Sequence, residues 1–530
     1  MKRDKRQLFT FLILLGLLFF FAFVLKSVES TGSASGDGSG ITTWWKALWY
    51  LVVTLTTVGY GDFVPQTFWG KAIGALFLIC SVGLFSWIIG LVVSLINGDF
   101  LPCLRLKQLR NKRWYLFSDD GPRSSLLTEK LSDEDSDAMI ILCQSKADVG
   151  QQFHQKGKHQ ILYVPMEYEE CLELRTQGLD QVFLFLLGDD GWDNYLSAKS
   201  AAEKGCRVYC RTNARPDETP KGITLFSDTE AIGRLFWLEH PLTPPEKEIV
   251  IIGGKRYGEP LLEKGLLNNI FSPDQHLIYH VFGDFAHFKG LHERLKNVMK
   301  VDGEGADGDS LWFYEESWEN RPDLLEKADR IVICADSDDE GLELYWALKT
   351  YYPVQGNVYV RLSRMVEEPG MVVFGSDEEL YEPENVMNHT LVSLGIRVNE
   401  LYRTKYGGKT WDELSEFHRQ SSIASADHLA VKASILLGKM LRGRLTQEES
   451  RKAFEVYRQT ADRDHDLYRS IEHMRWNRFH TMYNWRYDEK RDNAMRRHTL
   501  LLPYDKLSLR DQEKDDDAWL LLDEYAKGNL

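Results

Sequence analysis

Two long apolar runs stand at the N-terminal end of the chain. Residues 8–25 carry no charge and are broken only by Thr10 and Gly16; residues 69–96 carry only Lys71. About 20 apolar residues span a bilayer, so each run predicts a membrane-crossing helix. Residues 44–54 are mostly apolar and aromatic but too few to cross, which predicts a re-entrant half-helix. Lys2, Arg3, Lys5 and Arg6 precede the first run, and Arg105, Lys107, Arg110, Lys112 and Arg113 follow the second. Basic flanks stay in the cytoplasm, so both ends face inward and residues 27–68 form an external loop, Gly/Ser-rich over 30–40. A secretory signal peptide is the competing reading of the first run, with small residues at Ser33-Ala34-Ser35; the length of the run and the second span favour a membrane helix.

Beyond residue 113 the pattern changes to short apolar runs separated by helix-compatible stretches. The runs cover 114–117, 138–142, 161–164, 182–187, 208–210 and 223–226, and a second set covers 249–252, 276–282, 311–314, 331–334, 358–360 and 371–374. Strands alternating with helices predict βαβ units on a parallel sheet, and continuous apolar runs suit strands buried on both faces. The two sets also share local features. Gly188-Asp189-Asp190 parallels Ala335-Asp336-Ser337-Asp338-Asp339, and a strand ending in Arg follows each, at Arg211 and Arg361. This predicts a duplicated Rossmann-like unit. Residues 399–460 read as helical, with Leu429, Ala433, Leu436, Leu437 and Met440 on one face. From about residue 462 aromatic and basic residues become dense.

The predicted fold class is therefore a membrane α-helical pore (two transmembrane helices plus a re-entrant pore helix) with cytosolic α/β Rossmann-like tandem domains and a small, mainly α C-terminal domain. The expected boundaries are 1–102, a basic linker 103–113, 114–242, 247–400, a helical connector 401–461, and 462–530. The formal charge of −15 falls on the soluble part, which argues against a nucleic-acid partner. Seven cysteines, an odd number without a CxxC pair, read as reduced thiols.

Thr57, Val58, Gly59, Tyr60 and Gly61 follow the half-helix. A bare potassium ion needs oxygens to replace its water shell. Carbonyls of these residues and the Thr57 hydroxyl supply them when four copies surround one axis. Gly59 and Gly61 take the backbone angles that this demands. Residues 48–62 with Trp69-Gly70-Lys71 resemble the pore of two-helix bacterial potassium channels. The resemblance implies a homotetramer, K+ in the filter, membrane lipid around the pore, and the inner membrane of a prokaryote. Where some members carry a pore-helix Glu bonded to the following Asp, this chain has Val53, so Asp62 needs another partner. Gly83 is a candidate gating hinge or a helix-packing glycine.

Residues 114–402 resemble the regulator-of-potassium-conductance (RCK) domains attached to such pores, which implies an eight-domain cytosolic ring from four subunits. Ordinary NAD binding is not expected. Ser118-Asp119-Asp120-Gly121-Pro122 repels a pyrophosphate, and Lys255 replaces the middle glycine of Gly253-Gly254-Lys255-Arg256-Tyr257-Gly258. Lys255 and Arg256 at a helix N-terminus suit a smaller anion. Asp119, Asp120, Asp189 and Asp190, at predicted strand ends, are candidate Ca2+ ligands or else solvated loop carboxylates.

Residues 471–507 contain an Arg-Trp helix, a Trp-x-Tyr turn, a His before an apolar stretch, and Leu502-Pro503-Tyr504-Asp505-Lys506-Leu507. They resemble the ryanodine-receptor repeat (RyR) domain, with Asn484 and Asp488 where glycines are usual. Arg475 and Arg486 offer planar forks to phosphate, and Trp476, Trp485 and Tyr487 offer stacking faces. With Glu472 and His498 these residues are the candidate site for a nucleotide-like regulatory ligand. The other reading is that the tryptophans are core and the arginines pair with the acidic tail. The expected function is a ligand-gated potassium-selective channel and not an enzyme. The alternatives are a membrane-tethered nucleotide-processing enzyme, or a channel whose C-terminal module only assembles or docks partners.

Overall fold

The computed structural model describes residues 16, 18–30, 39–97, 106–134, 138–144, 153–156, 159–175, 177–217, 219–387, 390–461 and 464–530. Much of the first apolar run, its basic flank, most of the Gly/Ser-rich loop, and Cys103 and Arg105 lie outside them. The chain divides into two compact units, Met1–Arg110 with Ser145–Gln152 and Val164–Met166, and Asn111–Gln144 with Phe153–Tyr163 and Glu167–Leu530.

In the first unit, residues 18–30 are helical. Helix α1 (Trp44–Leu55) is the half-helix, and Thr43 caps it by accepting from the Lys46 amide at 3.3 Å. Helix α2 (Phe68–Asn97) contains a stretch, Phe68–Gly90, long and apolar enough to cross a membrane. Ala22, Leu25, Ala47, Leu51, Leu55 and Phe77 pack the three helices together.

The second unit carries two sheets. The first has the order β3 (Phe153–Lys156), β4 (His159–Val164), β2 (Met139–Cys143), β1 (Trp114–Phe117), β5 (Val182–Leu186), β6 (Arg207–Arg211), β7 (Ile223–Phe226). The second runs β11 (Glu304–Gly305), β10 (Lys300–Val301), β12 (Ser310–Tyr314), β9 (Ile278–Phe282), β8 (Glu248–Gly253), β13 (Arg330–Cys334), β14 (Asn357–Arg361), β15 (Met371–Phe374). Leaving out β3, β10 and β11, each sheet has the doubly wound order 3-2-1-4-5-6. The six strands expected in each half are present. The short edge strands were not foreseen, because β3 is polar and β10 and β11 are two residues each. Strands β1, β2 and β13 are buried at every position, as their apolar runs require, with Arg330 at the start of β13 paired to Glu246. The five cysteines among the described residues of this unit are free and buried.

Helices α3 (Asp228–Glu239) and α4 (Gly258–Asn268) join the two halves. The connector forms α5 (Thr390–Tyr406), α6 (Glu416–Asp427), α7 (Leu429–Leu437) and α8 (Gln447–Gln459). The C-terminal module contributes α9 (His465–Met482) and α10 (Asp517–Ala526). It does not stand apart. Phe479 and Met482 of α9 belong to the same core as both sheets, and Trp519 of α10 is fully buried against Tyr457 of α8. Asn484, where a glycine was expected, sits at φ 61, a left-handed conformation that Asn tolerates.

Candidate functional site

The stretch after α1 has an alternating backbone. Thr57, Gly59 and Gly61 lie at φ 61, 56 and 71, while Val58 and Tyr60 keep negative φ. Alternating left-handed with ordinary residues turns successive carbonyls toward one side, the geometry a column of oxygens needs. The amides of Val58 and Gly59 both donate to the Val53 carbonyl, at 3.1 and 3.2 Å, so they satisfy the helix end. Thr57 shares the left-handed conformation with the glycines, which the sequence did not suggest. Val58 and Tyr60 are 54% and 69% exposed in the single chain.

Asp62 has a partner that sequence reasoning missed. Trp49 donates its indole N–H to Asp62 Oδ2 at 2.8 Å and stacks on Tyr60, with planes 9° apart. Trp49 lies one helical turn before Val53, on the helix side that Glu occupies elsewhere. Glu29 was also missed. Its buried carboxylate accepts from Gln66 N (2.9 Å), Thr67 N (2.9 Å) and Thr67 Oγ1 (2.6 Å), so it caps α2 from the helix of residues 18–30. A Cβ on Gly70 would lie 1.9 Å from Glu29 Oε1, so that position must be glycine for the carboxylate to fit. Glu29→Ala leaves these donors unpaired and lowers stability by about 1.5–3 kcal/mol; thermal unfolding of the reconstituted protein measures it. Among the described residues nothing lies within 4 Å of a methyl group added at Gly83, so none of their contacts requires the glycine.

At the second Rossmann corner, glycine permits close crossing. A Cβ on Gly283, at φ +115, would lie 1.7 Å from the Gly253 carbonyl, and one on Gly258 would lie 2.8 Å from Phe285. Lys255 and Arg256 precede α4, whose N-cap, Tyr257, makes no side-chain cap bond. The guanidinium of Arg256 lies 4.9 Å from the centre of the Tyr257 ring, and that of Arg361 lies 4.2 Å from it. The buried Arg361 Nε has no hydrogen-bond partner, and its guanidinium stands 3.6 Å from Asp338. Arg361 therefore joins the candidate anion site; its place at a strand end beside the glycine corner was the available signal.

The four aspartates of the first domain have separate local roles. Asp119 accepts from Gly121 N (2.8 Å) and Ser124 Oγ (3.0 Å), and Asp120 accepts from Gln144 (2.9 Å). Asp189 pairs with Arg123 at 2.6 Å, which holds its carboxyl below the usual range. Asp190 caps the helix Gly191–Glu203 through the Trp192 and Asp193 amides. Among the described residues no group of three or more His, Cys, Asp or Glu is placed to hold a metal ion.

In the C-terminal module Glu472 and Arg475 share one face of α9, as their spacing requires, but that face is covered. Both are 3% exposed. Arg475 Nε lies 3.0 Å from Glu472 Oε2, and Lys432 Nζ lies 2.8 Å from the same oxygen. Burial alone would raise the Glu472 carboxyl, yet Arg475 and Lys432 override it and hold it well below the carboxylate range. Glu472 thus engages Nε and Nη2 of Arg475, and Nη1 is buried without a hydrogen-bond partner among the described residues, so the fork is enclosed rather than offered to a phosphate, a correction to its expected role. Trp485 is also core, stacked on Phe417 at 5.2 Å. Trp476 and Arg486 are half-buried and Tyr487 is exposed. Trp476 meets His480 at 3.9 Å and His498 at 5.0 Å. The tertiary fold thus brings together Trp476, Trp485 and His498, with Tyr487 paired to His498 across a short parallel bridge.

Burial pushes His480 down to about 3 and His498 down to about 4. Both are therefore neutral in the folded protein, and the unfolded chain binds their protons first. As pH falls below about 6.5, stability is lost at about 1.4 kcal/mol per pH unit per histidine, until the folded values are reached. Urea midpoints between pH 7 and 4.5 check this, and His480→Asn reduces the slope.

Residues 8–97 match the ion channel family model. A Methanocaldococcus jannaschii protein named Probable potassium channel protein 2 is 25% identical over 224 residues, covering 38% of this chain and 62% of its own length. The mouse potassium voltage-gated channel subfamily A member 5 is 39% identical over 87 residues, 16% of this chain and 14% of its own. The chain thus spans less than two thirds of either relative. A solved GsuK channel bound to NAD superposes with a TM-score of 0.34 at 12% identity, over 77% of this chain and 85% of that one.

Proposed function

We propose that four copies of this chain form a potassium-selective membrane channel whose two Rossmann-like domains and C-terminal module bind a nucleotide-like anion and gate the pore. One observation carries the pore reading. The residues from Thr57 to Gly61 alternate in backbone hand, their first amides are tied to the Val53 carbonyl, and their side chains stay exposed in a lone chain. Four such segments around one axis supply the oxygen cage, and Asp62 and Tyr60 are held in place by Trp49. The relatives that match this segment are named as potassium channels. The apolar α2, long enough to cross a bilayer, supports a membrane location, and the proposed site is the cytoplasmic membrane of a prokaryote with both termini inside. Gly83, at the middle of α2, is the proposed bending point.

Gating follows from population shift: an anion that binds one state of the cytosolic body better biases the inner helices. Lys255, Arg256 and Arg361 at the glycine corner supply the positive charge, and Trp476, Arg486, Tyr487 and His498 supply a second, aromatic surface. The test is calorimetric titration of the reconstituted protein with ADP. Arg256→Gln weakens binding about tenfold, roughly 1.4 kcal/mol, if the glycine corner is the site; unchanged binding together with loss in Tyr487→Ala moves it to the C-terminal module. A second reading also has an observation in its favour. Arg478, Phe479 and Met482 are built into the second Rossmann domain, which suits a module that serves assembly.

A further inference from the structure

A large cavity of the second unit lies at the β7 edge of the first sheet. It has a volume of about 580 Å3 and lies between the edge of the first sheet (β7 and α3) and the connector helices α5 and α6. Ligands of doubly wound sheets sit where the strand order reverses, here between β1 and β5, and the cavity lies at the β7 edge instead, so an occupant here is additional to any nucleotide. Ile223 and Leu225 of β7, Val392 and Ile396 of α5, and Trp411 are among the residues that line it. These side chains are half-buried, so this part of the wall is apolar and reachable from solvent. The volume falls in the range of small-molecule sites, about 300–1,000 Å3.

The charges around it are unevenly satisfied. Arg234 is paired with Asp427 at 2.6 Å, Glu230 with Lys264 at 3.0 Å and with Arg215 at 3.3 Å. Glu416 accepts from Gln420 at 2.9 Å. Arg419 differs. It is 8% exposed, yet its nearest oxygens are Trp411 O and Thr219 Oγ1 at 3.3 Å, Asp412 O at 3.4 Å and Glu416 at 3.8 Å. A buried guanidinium normally makes charge-assisted bonds of about 2.7–2.9 Å. None of these contacts reaches that, and the cavity is what lies beside them. Of the carboxylates that line it, Glu230 and Glu416 are engaged and Asp412 is exposed to solvent.

We propose that this cavity binds a small amphipathic organic acid, with a flat apolar body against Ile223, Leu225, Ile396 and Trp411 and its carboxylate or equivalent anionic group on Arg419. Such a ligand touches the first Rossmann-like domain and the helices that follow the second at once. It therefore fixes their relative position.

The probe is naphthoate, with the neutral naphthylmethanol as control, titrated calorimetrically into the full chain in lipid nanodiscs against empty nanodiscs. One saturable site per chain is expected, with the acid bound about tenfold tighter than the alcohol. Arg419→Gln abolishes that preference, Arg419→Lys restores part of it, and Ile396→Trp, which fills the cavity, blocks both compounds. Equal binding of acid and alcohol, no saturable site, or binding that survives Ile396→Trp overturns the proposal. So does a disulfide between Ile396→Cys and a cysteine of another copy in the oxidised tetramer, which would show that a neighbouring subunit fills the space. If Arg419→Gln does not fold, the Ile396→Trp and acid-against-alcohol comparisons decide on their own.

Discussion

Gly59→Ala abolishes potassium flux through the reconstituted protein while leaving its oligomer intact. Gly59 stands at φ +56, where an L-residue costs about 1–2 kcal/mol per position. Four copies around one axis multiply that strain to about 4–8 kcal/mol. Among the described residues of a single chain nothing lies within 4 Å of the added methyl, so their packing accommodates it. The loss comes from the backbone: relief of the strain rotates the 59 peptide and removes one oxygen ring from the column. Potassium flux in liposomes reads the effect and native mass spectrometry reads the oligomer. Undiminished flux would remove the filter assignment.

Arg478→Ala costs about 3–5 kcal/mol, the range for breaking a buried ion pair. Arg478 lies in α9 with no exposed surface, and its Nη1 donates to the Leu266 carbonyl at 3.0 Å. Its Nη2 lies 2.8 Å from Asp309 Oδ2, a charge contact without hydrogen-bond alignment. Asp309 is also fully buried and accepts from Leu277 N at 2.8 Å and from Gln275 at 2.9 Å. Removing the guanidinium leaves that carboxylate uncompensated in the second Rossmann domain. Thermal unfolding of the full chain measures the change; a loss below about 1 kcal/mol, the value of a surface pair, would show that the contact is solvated. The same pair bears on truncation. Deleting the C-terminal module also strips Phe479 and Met482 from the shared core, so point variants such as Tyr487→Ala separate sensing from stability better than truncation does.

Much of the architecture was legible from hydrophobic pattern. The half-helix, the second span and the twelve principal strands follow from mostly apolar runs, because burial leaves a local mark in the chain. The chemistry of Thr57 to Gly61 was legible for a related reason: its donors are backbone carbonyls, and glycine positions reveal backbone conformation. The partner of Asp62 was not. Once Val53 replaces a carboxylate, nothing along the chain says that Trp49 turns its N–H that way. The cap from Glu29 on Thr67 was hidden similarly, since it links two helices through space.

The sequence by itself determined which segments are apolar enough to cross a bilayer, where the strands lie, and that a carbonyl column follows a half-helix. These are properties of neighbours in the chain. Only the tertiary structure decided which charged groups are internal. Arg475 reads equally as a phosphate fork or a buried partner, and packing of α9 against α7 made it the latter by enclosing it with Glu472 and Lys432. Arg478 found an acceptor 212 residues away. Arg419 was left with long contacts beside an open cavity. The free energy of a charge depends on what covers it and what stands within a few ångströms, and both are set by elements far apart in sequence.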